Sequence, residues 1–145
     1  MHFIFQNTSR GCLLVSLCHN PAAKKITIKV IKAKSLIKAD VVGSSDPYVK
    51  IELWHNGKGI SKAKTKTKKD TVDPVFDKTV EFELPVVDKN TKVEFIVMDE
   101  DWGKDEFLGR IAIGGENCTD GTGLKHWNMA MAAPLDAIEV WHPLS

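Results

Sequence analysis

Alternation with a period of two runs through most of this chain. Leu13, Val15 and Leu17 alternate with Leu14, Ser16 and Cys18, and Ile26, Ile28 and Val30 alternate with Thr27, Lys29 and Ile31. The same pattern recurs at 48–54, 79–84 and 93–98, and 107–113 and 137–141 complete the set. Successive side chains of a strand point to opposite faces, so each such run reads as a strand with one buried face. With the lysine-rich 61–68 segment there are about eight. Turn signals separate them: Asn20-Pro21, Gly43-Ser44-Ser45, Asn56-Gly57, Asp73-Pro74, Asp88-Lys89-Asn90 and Gly114-Gly115. Many short strands joined by polar turns predict an all-β sandwich or barrel. One stretch departs from the pattern. Leu124, Trp127 and Met131 fall at helical spacing within 123–133, and Pro134 ends that segment. A short helix is expected there, with those three on its core side.

A chain of 145 residues reads as one domain. It is long enough to bury roughly two-thirds of the surface its unfolded form exposes. The first nine residues read as a flexible leader, and residues 10–145 as the single domain. No run of about 20 apolar residues suggests a membrane span. Three cysteines with no framework spacing read as reduced and intracellular. Cys12 and Cys18 would lie roughly 20 Å apart along one strand, too far to bridge.

The net charge of +1 argues against a nucleic-acid binder, but it conceals a segregation. From Lys58 to Lys69 there are six lysines and no acid, whereas from Asp99 to Glu106 there are five acids and one lysine. Separate patches of opposite sign suit two different partners. Lys62, Lys64, Lys66 and Lys68 alternate, so within a strand they would share a face, with Lys58 and Lys69 extending the patch. Lysine is a hydrated point charge rather than a planar fork, which favours diffuse attraction to anionic surfaces over reading of bases.

The acids fall in two clusters, each where a strand should end: Asp40 and Asp46, then Asp99, Asp101, Asp105 and Glu106. Like charges packed this densely need open solvent or a bound cation. If the fold joins the clusters, they form an oxygen-rich cup of the kind that suits calcium. Read from the residues alone, surface turns remain the alternative. An EF-hand does not fit, because the twelfth position counted from Asp99 is Arg110. Nothing suggests an enzyme. The histidines (His2, His19, His55, His126 and His142) are scattered and pair with no nucleophile motif, and there is neither GxSxG nor a P-loop.

An ordered set of motifs carries a family resemblance. SDPYVK at 45–50, DEDWGKDEFLG at 99–109 and WHPL at 141–144 together resemble a C2 domain, most narrowly the second C2 domain of the synaptotagmins. RGCLLVSLCHNP at 10–21, Asp73-Pro-Val-Phe-Asp77 and GLKHWNMAMAAP at 123–134 extend the resemblance from Arg10 to Leu144. It implies an eight-stranded antiparallel β-sandwich with one short helix before the last strand. It also implies that loops at one end bind two or more calcium ions through Asp40, Asp46, Asp99 and Asp101. The family usually has an aspartate three residues before the glycine that follows an apolar pair. Here that residue is Glu106, in a loop one residue shorter, so Asp105 or Glu106 would stand in. Val41, Val42 and Trp102 would be tip residues that enter the bilayer interface. The lysine strand would bind phosphoinositides or acidic, SNARE-type proteins, and the loops phosphatidylserine. The implied module is monomeric and non-enzymatic. It would be cytoplasmic, peripheral to vesicle or plasma membrane, and act in exocytosis. A calcium-independent phosphoinositide or protein adaptor is the alternative. Where the family often has a basic pair after the helix, this chain reads Pro134-Leu135-Asp136-Ala137, which argues against a second basic patch there.

Overall fold

The computed structural model describes residues 10–37 and 45–145. The strands are β1 (Cys12–Asn20), β2 (Lys25–Lys34), β3 (Pro47–His55), β4 (Lys58–Lys64), β5 (Val75–Glu83), β6 (Thr91–Asp99), β7 (Glu106–Gly114) and β8 (Ile138–Pro143). One helix, α1 (Gly121–Ala132), precedes β8. The strands form two four-stranded sheets, β5-β2-β1-β8 and β4-β3-β6-β7, and every pairing is antiparallel. The expected sandwich is what the chain forms.

The alternating apolar residues explain why the sheets meet. Leu13, Val15, Leu17, Ile26, Ile28 and Val30 face Val49, Ile51, Leu53, Val93, Phe95 and Val97 across one core, all essentially inaccessible. Burying such side chains is worth about 1.5–3 kcal/mol each. β1 departs from simple alternation, since Cys12, Leu14 and Ser16 are buried too. Trp141 stands opposite Leu14 on the outer face, with the Lys34 ammonium 4.6 Å and the Lys32 ammonium 6.0 Å from its ring centre. A central strand flanked by long side chains is thus covered on both faces.

The helix turns Trp127 and Met131 to the core as expected, but its buried face also takes in Gly123 and His126 rather than Leu124. Its buried residues are Gly123, His126, Trp127 and Ala130, while Leu124 and Met131 are only half-buried. The cause is a close approach to β7. A Cβ on Gly123 would lie 1.7 Å from the Ala112 carbonyl oxygen, so glycine lets α1 sit directly on that strand. Asp120, at the helix start, makes no side-chain cap. It accepts instead from the Ala112 N–H at 2.8 Å and from Arg110 at 3.3 Å. β7 is a sheet edge, and Asp120 together with Ser145, paired to Arg110 through both backbone bonds at 3.0 Å, occupies its exposed ladder groups.

Candidate functional site

The two acidic segments meet at one end of the sandwich. Pro47 opens β3 opposite Asp99, the last residue of β6, so Asp46 and Asp99 are brought together by strand register. The Asp46 N–H donates to Asp99 Oδ1 at 2.7 Å, and the Glu100 N–H donates to the Asp46 carbonyl at 2.9 Å. Asp46 Oδ1 in turn accepts the Asp70 N–H at 2.7 Å, which ties in the segment between β4 and β5. Asp99 is 5% exposed. Glu106 is its cross-strand partner and therefore lies on the same side of the sheet. Asp46, Asp101, Trp102 and Gly103 line a cleft of about 400 Å³, closed on one side by the Lys69–Glu100 ion pair at 3.3 Å.

Asp40, Val41 and Val42 lie outside the described residues. Among the described residues, no three acidic, histidine or cysteine side chains converge as a finished metal site. Asp46, Asp99 and Asp101 nevertheless share one end, and their oxygen-only chemistry fits a hard cation. Trp102 is 99% exposed beside the cleft.

Asp105 has other partners. Its Oδ2 accepts the Tyr48 hydroxyl and its Oδ1 accepts the Asp101 N–H at 3.1 Å. The Tyr48 hydrogen bond, then the Asp101 amide, hold its carboxyl below the usual carboxylate range. Tyr48 itself is pushed up to about 12, first by desolvation and then by its bond to Asp105.

The lysine patch differs from the single strand face expected of it. β4 ends at Lys64, so Lys66 and Lys68 are not strand residues sharing a face with Lys62 and Lys64. The reason is Thr65. Its buried side chain accepts the Val49 N–H at 2.9 Å and donates to the Lys66 carbonyl at 3.0 Å, which interrupts the ladder until the Lys68 N–H returns to β3 at the Pro47 carbonyl, 2.9 Å. Lys62 and Lys64 stay on the outer face, opposite Glu52 and Lys50. Lys66, Lys68 and Lys69 follow on into a groove of about 750 Å³ that also takes in Phe76 and Lys78. Lys58 pairs with His55 at the far end of β4, away from the acids. The sequence reading missed Lys50 and Lys78. The alternation of β3 carries the signal for Lys50, whereas Lys78 reaches the groove only through sheet packing.

Known proteins resemble this chain in strand arrangement and in sequence. Residues 24–129 match the C2 domain family. Human synaptotagmin-4 is 40% identical over 141 residues, covering 96% of this chain. The chain belongs to the C2 domain family. Human synaptotagmin-2 is 43% identical over 137 residues, or 92% of the chain. This C2 chain spans about a third of the length of those relatives, 33% and 32%. Its fold is that of a RIM C2 domain from Drosophila, with a TM-score of 0.73 at 20% identity over 94% of this chain and 98% of that one. No helix among the described residues is long and apolar enough to cross a membrane.

Proposed function

We propose that this C2 domain is a calcium-dependent module for anionic phospholipid, acting in vesicle trafficking. The observation that carries the reading is the register that sets Asp46 against Asp99 beside an exposed Trp102. Asp40, Asp46, Asp99 and Asp101 would hold the ions, with Glu106 on the same side of the sheet. Calcium bound there would cancel the negative charge of the loops and offer open coordination positions to lipid phosphate. Trp102 has the apolar body and polar tip suited to the bilayer interface. The lysines from Lys62 to Lys69 would hold phosphoinositide headgroups or an acidic protein of SNARE type, independently of the ions.

The second reading is a calcium-independent adaptor working through the lysines alone. It is favoured by the Lys69–Glu100 ion pair, which already sets a cation of the chain itself at the cleft wall. Co-sedimentation with phosphatidylserine vesicles, with and without calcium, separates the two. Wild type is expected to pellet only with calcium, and Asp99→Asn/Asp101→Asn to lose that response. Asparagine keeps the oxygen that accepts the Asp46 N–H and removes the charge. Equal pelleting with and without calcium would transfer the function to the lysines.

A further inference from the structure

Asp105 is a loop acid with a protein donor on each carboxylate oxygen. One oxygen takes the Tyr48 hydroxyl and the other takes the Asp101 amide. The second bond closes the short turn around Gly103, whose φ of +84° makes the reversal possible. The first bond ties that turn to β3. Tyr48 adjoins Pro47, the partner of Asp99, so the strand pair that fixes Asp46 and Asp99 also fixes the anchor of Asp105. Asp101, the acid at the far side of the cleft, continues the chain by accepting the Trp102 N–H on its Oδ1 at 2.7 Å. On its other side the Tyr48 ring lies 5.9 Å beneath the Lys64 ammonium, which keeps the ring against the sheet.

We infer that Tyr48 and Asp105 are positioning residues for the cation site: Asp105 sets Asp101 and Trp102 through the Asp101 amide and is not itself an ion ligand. This rests on the calcium reading above and assigns a separate role within it. The physical argument is that a carboxylate turning toward an ion would give up two hydrogen bonds to donors held on β3 and at the loop start. Partners that orient a metal ligand without touching the metal commonly contribute about 10–100-fold to affinity.

The test is calcium titration by calorimetry on wild type, Tyr48→Phe, Asp105→Asn and the double variant. Thermal melting checks the fold, and amide hydrogen exchange at Asp101 is followed in the calcium-free protein. Tyr48→Phe keeps the ring under Lys64 and removes only the hydroxyl. The expected result is a loss of about tenfold in affinity for each single variant at unchanged ion number. The double variant should be no weaker than the weaker single, and Asp101 exchange faster in Tyr48→Phe. Two results overturn the inference while leaving calcium binding intact. One is a Tyr48→Phe protein with wild-type or tighter affinity alongside an Asp105→Asn protein that binds fewer ions, which makes Asp105 a ligand. The other is unchanged exchange at Asp101. Absence of calcium heat from wild type overturns the calcium reading itself, and this role with it.

Discussion

His126 Nδ1 and His142 Nε2 lie 2.8 Å apart, with both rings wholly buried between α1 and β8. A carbonyl only accepts, so His126 Nε2 must donate to Ile138 O at 2.7 Å. In the neutral pair, His142 Nε2–H then donates to His126 Nδ1, and the Thr122 hydroxyl donates to His142 Nδ1 at 2.8 Å. Each polar atom in this relay has a partner, and the helix is tied to the last strand. Burial lowers both histidines, His142 to about 3, where the nearby His126 also contributes. A histidine with a depressed folded pKa favours the native state above its unfolded value of roughly 6.5 and loses that stability as pH falls toward the folded value. Urea unfolding should therefore show stability declining as pH falls below about 6.5, by up to about 1.4 kcal/mol per pH unit from His142, with His126 acting in the same direction. A flat profile over that range would contradict the neutral pair.

Gly123→Ala should destabilise the domain although alanine is the better helix former. The propensity gain is about 1 kcal/mol. Against it stands a Cβ placed 1.7 Å from a backbone oxygen on β7, which only a shift of the helix relieves. Overpacking of this kind costs about 1–3 kcal/mol, and backbone contact puts this site at the upper end. Thermal melting should fall by several degrees. A rise would show that α1 does not rest on β7 as described.

Trp102 fluorescence should shift to the blue when calcium and phosphatidylserine vesicles are added together, and not with either alone. Its ring is 99% exposed, whereas Trp127 is 3% exposed, so the difference between wild type and Trp102→Phe isolates the loop signal. An unchanged difference spectrum would remove Trp102 from the membrane contact.

Lys62→Glu/Lys64→Glu should weaken binding to phosphoinositide vesicles by at least about 30-fold, from roughly 1 kcal/mol per lysine near an anionic surface. Both residues are exposed on β4, but only Lys64 lies over the Tyr48 ring, so calcium affinity should hold in Lys62→Glu alone and fall in the double variant. Lys69→Ala is expected to behave differently. It opens the ion pair with Glu100 at the cleft wall, a surface contact of about 0–1 kcal/mol, and returns a negative charge to the cleft. Its calcium affinity should rise slightly, which calorimetry would register.

The period of two in the sequence determined the strands, and with them the sandwich, because each run carries one face apolar enough to leave water. It also determined that acids gather at strand ends and lysines in one segment. Those are local properties, since each depends only on neighbours along the chain. What the tertiary structure decided is which groups spend their hydrogen-bonding capacity on one another. The sequence offered Asp105 and Glu106 as equals. Packing gave Asp105 to Tyr48 and Asp101, and put Glu106 beside Asp99. The lysines read as one stripe until Thr65 turned inward to take the Val49 amide and ended β4. His126 and His142 looked unrelated until α1 and β8 closed over them. Partners separated by many residues meet only after the sheets pack, and no spacing along the chain encodes which of several donors and acceptors will then be nearest.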